Sequence, residues 1–157
     1  MSTGIKIQSI KEDSGYHALI HGLSECIKVV TVGCDTEDIK PRLSFVTKDA
    51  KKFLKDFAKT FKPPYKSIVF NVFQSFHGTN FDSIAFCDQL KEEVQKLKIP
   101  YYFISSETFL PAAFLAASKY TSEIGDIIFV PTLLPNIICS WAYQREADGY
   151  ISIRQRL

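Results

Sequence analysis

No stretch of this sequence approaches the roughly 18 uninterrupted apolar residues of a membrane-spanning helix, so no such span is expected. Met1-Ser2-Thr3-Gly4-Ile5-Lys6 also lacks the continuous apolar core of a signal peptide. The four cysteines, Cys26, Cys34, Cys87 and Cys139, form no Cys-x-x-Cys pair and each has apolar neighbours. That excludes a disulfide framework in favour of free buried thiols, and the expected location is a reducing compartment, the cytoplasm. Glycine is scarce where phosphate chemistry would need it. Neither Gly-x-x-x-x-Gly-Lys-[Ser/Thr] nor Gly-x-Gly-x-x-Gly occurs, and no Gly-x-Ser-x-Gly elbow presents a serine nucleophile. Gln155-Arg156-Leu157 lacks the small antepenultimate residue of a peroxisomal address.

What remains is an ordinary globular composition of 157 residues, 46% apolar and 23% charged, long enough for one domain spanning 1–157. The net charge of +2 conceals seven lysines between Lys48 and Lys66 against only Asp49 and Asp56, leaving the remainder mildly acidic. Such a helix reads as a solvated face. Nucleic acid is not the expected partner, because the aromatics of the same segment fall on its opposite, apolar side.

The pattern of apolar residues orders the chain. Ile5 to Ile10, Tyr16 to Ile20 and Ile27 to Val32 alternate as strands around the turn Asp13-Ser14-Gly15, predicting an N-terminal β-meander. Residues 35–42 read as a loop. Ala50, Phe53, Leu54, Phe57, Ala58 and Phe61 then recur at helical spacing, with Thr47 as the expected N-cap and Pro63-Pro64 as the stop. Ser67 to Phe73 and Tyr101 to Ile104 read as strands buried on both faces, separated by an amphipathic helix with Ile84, Cys87, Leu90, Val94 and Leu97. A third helix over about 109–122 is apolar nearly all round, so it is expected to be covered on more than one side, with Gly125 as its cap. Asp126 to Val130 is expected as a third buried strand. Ile137 to Tyr143 and Tyr150 to Ile153 flank Asp148-Gly149 as a β-hairpin. The prediction is a single α/β domain: a mixed sheet with an N-terminal β-meander, an αβαβαβ core and a C-terminal β-hairpin.

In open α/β sheets ligands bind beyond the carboxyl ends of the parallel strands. That rule selects Ser75, His77, Asn80 and Asp82 after the first buried strand, Ser105, Ser106 and Glu107 after the second, and Thr132 after the third. Asp35 would join them if its strand ran alongside. In an enzyme built here, His77 would be the acid–base residue, Glu107 its carboxylate partner and Ser106 a candidate nucleophile; Ser75, Asn80, Asp82, Ser105, Asp35 and Thr132 would bind substrate. Asn80, Asp82 and Ser106 serve equally as helix caps. His17 and His21 share one strand face and, with Cys26 or Asp35, make only an incomplete zinc set, so no metal is expected. The aromatic load of 13 Phe and 7 Tyr exceeds what a small core hides. This points to an apolar surface for a protein partner or self-association, placed on the all-apolar third helix and on the hairpin around Trp141 and Tyr143.

From Thr47 to Ile153 the chain resembles part of the nucleotide-binding domain of the 70-kilodalton heat-shock chaperones, within the actin-like ATPase fold. The likeness lies in element order: a lysine-rich helix, the strand Ser67 to Phe73, a polar turn, a helix, the strand Ile99 to Ile104, then Glu107-Thr108 leading into an alanine-rich helix. Where that family has an Asp-x-Gly-Gly-Gly-Thr loop, this chain has Val130-Pro131-Thr132-Leu133-Leu134-Pro135-Asn136, and the glycine expected after Asp35 is missing. Only Glu107 matches a functional position. The resemblance implies one lobe of a two-lobed fold that has lost ATP chemistry and binds no cofactor. The sequence therefore predicts a non-catalytic interaction domain, with a small enzyme or nucleotide binder at the strand ends as the alternative.

Overall fold

Alternating apolar residues produce the first hairpin. Tyr16–Gly22 (β1) and Ile27–Gly33 (β2) pair antiparallel with Leu19 opposite Val30, burying Ala18, Ile20, Ile27 and Val29 on one face. His17, Leu19 and His21 take the other face. The computed structural model describes residues 13–40, 43–62, 64–73, 81–118, 121–134 and 137–153, with side chains at 116–117 and 132–139 outside that description. The expected strand Ile5 to Ile10 lies outside the described residues. The third antiparallel strand is Phe45–Thr47 (β3), paired with β2.

Thr47 therefore ends a strand rather than capping a helix. Asp49 is the cap of Ala50–Thr60 (α1), its carboxylate accepting from the Lys52 amide at 2.8 Å. The stripe read from the sequence is the buried one: Phe53, Phe57 and the following Phe61 pack inward, with Phe57 and Phe61 ring centroids 4.6 Å apart. Burial of each such ring contributes about 1.5–3 kcal/mol. All seven lysines between Lys48 and Lys66 are exposed.

Tyr65–Asn71 (β4) runs parallel to β1, and Tyr101–Phe103 (β5) runs parallel to β4. Between them Ser83–Lys96 (α2) contributes Phe86, Leu90 and Val94 to the core. The order β3-β2-β1-β4-β5 is a mixed sheet in which an antiparallel meander leads into parallel strands. Helices α1 and α2 contact each other and cover the same face, where Phe57 stacks on Phe70.

Ser106–Ser118 (α3) is followed by Ile127–Leu134 (β6), Ile137–Glu146 (β7) and Gly149–Ile153 (β8). These strands form a separate antiparallel sheet, β6-β7-β8. The α/β class and the C-terminal hairpin stand as predicted, while β6 departs from its expected place. It pairs with the strand that immediately follows it, from Ile127 opposite Gln144 to Leu134 opposite Ile137, and does not extend the parallel strands. A neighbour in sequence closes a short loop at less entropic cost than a distant strand does. Helix α3 stops at Ser118, so Gly125 does not cap it; Gly125 occupies the turn before β6 with φ +95. Ala112, Ala113 and Phe114 of α3 are exposed, against the expectation of a helix covered on several sides. The chain divides into two compact units, Met1–Ser106 and Glu107–Leu157.

Candidate functional site

The carboxyl ends of β1, β4 and β5 do gather polar groups; Ser106 is one the sequence marked, whereas Asn71 and His21 are not among the strand-end residues it selected. Asn71, the last residue of β4, is 1% exposed. Its carboxamide oxygen accepts from the Ser106 hydroxyl at 3.1 Å, and its nitrogen donates to His21 Nδ1 at 3.1 Å. With Nδ1 accepting, the neutral imidazole carries its proton on Nε2. Burial, reinforced by Lys28 directly across the β1–β2 pair, holds the His21 pKa below its ordinary value. The chain His21–Asn71–Ser106 joins residues fifty and thirty-five positions apart. A lone carboxamide inside the apolar run Ser67 to Phe73 was the available signal. His17 makes the equivalent cross-strand contact four residues earlier, its Nδ1 lying 2.8 Å from the Ser67 hydroxyl. Both histidines thus pair with β4 side chains, and among the described residues no group of three or more His, Cys, Asp or Glu side chains could hold a metal.

The arrangement does not activate a nucleophile. Ser106 gives its hydroxyl hydrogen to a carboxamide oxygen, which is no base. Ser75, His77 and Asn80 lie outside the described residues. Asp82 lies at the start of α2, its carboxylate accepting from the amides of Ile84 at 3.0 Å and Ala85 at 2.9 Å, as the capping reading required. Ser105 is exposed beside Ser106, and Glu107 is exposed in the first turn of α3. Thr132 lies on β6, opposite Cys139 in the second sheet, rather than at the end of a parallel strand; its side chain is outside the description. Cys87 is pushed up to about 11 by burial and then by Asp88, which makes it an inert thiol.

Asp35 sits at the opposite end of the main sheet. Because β2 runs antiparallel to β1, its carboxyl end lies beside the start of β1, where Tyr16 faces Gly33. There the Asp13 carboxylate accepts from the amides of Asp35 at 3.1 Å and Thr36 at 2.9 Å, from the Thr36 hydroxyl, and from the Lys40 ammonium. Asp35 in turn accepts from the Ser14 amide at 2.7 Å. Lys40 first, aided by the two amides and the hydroxyl, lowers Asp13 to about 2. A side chain at Gly33 would collide with the same carboxylate, so glycine is required for this close approach. The backbone amides of Asp35 and Thr36 are occupied by the protein's own anion and are not open to a phosphate.

A second feature belongs to the C-terminal unit. One face of the β6-β7-β8 sheet carries Ile127, Phe129, Pro131, Ala142, Ile151 and Ile153, with Ser140 and Gln144. Ile127 is 56% exposed, Phe129 62% and Ile151 52%, and none of these eight positions is charged; Glu146, next in the same alternation on β7, places a carboxylate at the edge of that face opposite Gly149. Trp141 and Tyr143, expected at an interface, occupy the other face. Trp141 is half-buried; Tyr143 is 7% exposed and its hydroxyl donates to the Glu107 carbonyl at 2.9 Å.

Among the described residues no helix is long and apolar enough to cross a membrane. No protein-family model matches the chain, and no curated protein does. Among solved structures it is similar to YeaZ from Pseudomonas aeruginosa, with a TM-score of 0.47 and 11% identity over 90% of this chain and 65% of that one. It is also similar to an uncharacterized protein with similarity to peptidase YEAZ from Pseudomonas aeruginosa, with a TM-score of 0.41 and 12% identity over 90% and 64%. The chain thus spans slightly under two thirds of the length of either structure. Neither is named as a heat-shock chaperone, and at these values no residue role passes from them to this chain.

Proposed function

We propose that this chain is a non-catalytic α/β module that self-associates through the predominantly apolar face of the β6-β7-β8 sheet that carries Ile127, Phe129 and Ile151. The observation that carries the reading is the alignment of exposed apolar side chains across that sheet. Ile127 and Ile151 flank Gln144, while Phe129 and Ile153 flank Ala142. A contiguous apolar patch of this kind costs free energy in water, and a second copy offers a self-complementary cover for Ile127, Phe129 and Ile151, with Glu146 at the rim beside the β7–β8 turn. As a lobe of the actin-like fold, the chain would be one without phosphate chemistry, a reading supported by the amides taken by Asp13 and the absence of glycine from 126–136. Cys26, Cys34 and Cys87 are free thiols, which supports a reducing compartment.

Sedimentation velocity across a concentration series tests the proposal. The wild-type chain should gain mass with concentration, and Phe129→Lys with Ile151→Lys should remain monomeric with an unchanged melting temperature. A wild-type chain that stays monomeric throughout overturns it.

A second reading, ligand binding at the strand ends, is favoured by the convergence of His21, Asn71 and Ser106. A thermal-shift screen with ATP and magnesium, other nucleotides and divalent metals checks it, since a ligand at 100 times its dissociation constant stabilises by about 2.7 kcal/mol. No shift with any of them removes this reading.

A further inference from the structure

A cavity of about 410 Å³ opens in the C-terminal unit, lined by Thr121, Ser122, Arg145, Ala147, Asp148, Gly149 and Tyr150. Its volume falls within the usual range for small-molecule sites. Arg145 is held in place from several directions. Its amide donates to the Asp126 carbonyl at 2.9 Å, and its own carbonyl accepts from the Gly125 amide at 2.8 Å. One guanidinium nitrogen, Nη1, donates to the carbonyls of Glu146 and Gly149. The guanidinium carbon lies 5.3 Å from the centroid of the Tyr150 ring, whose hydroxyl is 2.8 Å from that of Ser122. Nη1 is the only guanidinium nitrogen spent on the protein among the described residues, so Nε and Nη2 remain available donors on a preorganised fork. Asp148 lies on the same wall, exposed, and neither residue forms a salt bridge among those described.

Two opposite charges that line one cavity without pairing to each other are best satisfied together by a ligand bearing both signs. We propose that this cavity binds a small zwitterion, an α-amino acid, with its carboxylate on the Arg145 fork and its ammonium on Asp148. The hydroxyls of Thr121 and Ser122 supply additional polar contacts at the same wall. The proposal is independent of the sheet face argued above, because the cavity is built from the turn before β6 and the β7–β8 turn.

Titration of the full chain with glycine, followed by amide NMR, tests it. Glycine should give saturable shifts at Gly149 and Tyr150, whereas acetate and methylammonium tested separately should bind at least several-fold more weakly. Asp148→Asn removes an exposed charge that makes no hydrogen bond or salt bridge among the described residues and should weaken glycine about fivefold, the scale of one partly exposed ion pair. Thr121→Val should weaken it further. Absence of saturation with glycine and with a panel of larger amino acids overturns the proposal. So does acetate binding as tightly as glycine, or glycine binding unchanged in Asp148→Asn. These outcomes leave the sedimentation behaviour of the chain unaffected, so the two proposals fail separately.

Discussion

Tyr143 supplies a hydrogen bond that Pro111 deletes. In α3 the Glu107 carbonyl would accept from the amide of residue 111, but proline has no N–H, and the Tyr143 hydroxyl on β7 donates to that carbonyl at 2.9 Å. Burial, with Glu107 adding to it, raises the Tyr143 pKa, so the phenol stays protonated and able to donate. Tyr143→Phe keeps the ring and removes the donor; it should lower stability by about 1 kcal/mol, read as a shift in the urea midpoint. An unchanged midpoint would mean that water replaces the hydroxyl at no cost. Nothing in the sequence announces the contact: Tyr143 is expected at an interface, and its acceptor lies thirty-six positions away. Asn71 is the parallel case, a lone carboxamide in an apolar run whose partners come from β1 and from the start of α3.

Among the elements, local chemistry and observed geometry agree most closely at the start of α2. Asp82 satisfies two backbone amides of the first turn, and its negative charge sits favourably at the amino end of the helix. Asp82→Ala should therefore cost about 1 kcal/mol, measured by thermal melting followed at a helix-sensitive wavelength. The same variant separates two roles assigned to this residue, because a loss of stability with no loss of any ligand response identifies the carboxylate as a cap. At α1 the agreement is less complete. Thr47 and Asp49 are both competent caps, and the pairing of Val46 with Lys28 in β3 draws Thr47 into the sheet and leaves Asp49 to cap. Strand pairing with a distant segment is invisible to a reading based on neighbours.

For the whole molecule, acidification should destabilise the fold in two stages. The pKa of His21 lies below 6.5 when folded, so the unfolded chain takes up that proton first. Stability is then fully retained above about pH 6.5 and declines as pH falls through that value. Asp13, lowered from 3.8 to about 2, gives a second decline that begins near pH 4 and is complete below its folded pKa. Urea midpoints measured from about pH 8 down to about pH 3 should show both stages, with His21→Gln flattening the first and Asp13→Asn the second. A midpoint indifferent to pH across the first window would show that burial and Lys28 do not penalise the protonated form of His21.

The sequence by itself determined the helices α1 and α2, the strands β1, β2, β4 and β5, the terminal hairpin and the mixed α/β class. Hydrophobic period, caps and turn residues act over a few positions and can be read in place. It also marked the carboxyl ends of β4 and β5 as a polar region, and Ser106 is there. Only the tertiary structure decided that Asp35 lies at the far end of the sheet, because this depends on β2 running antiparallel to β1. It likewise decided that β6 joins β7 rather than the main sheet, which turns Ile127 and Phe129 outward and Tyr143 inward. Pairing partners and register are settled by competition among distant segments for burial, and a one-residue change of register exchanges the two faces of a strand. Which apolar residues remain for a partner is therefore a property of the assembled sheets and of no single stretch of the chain.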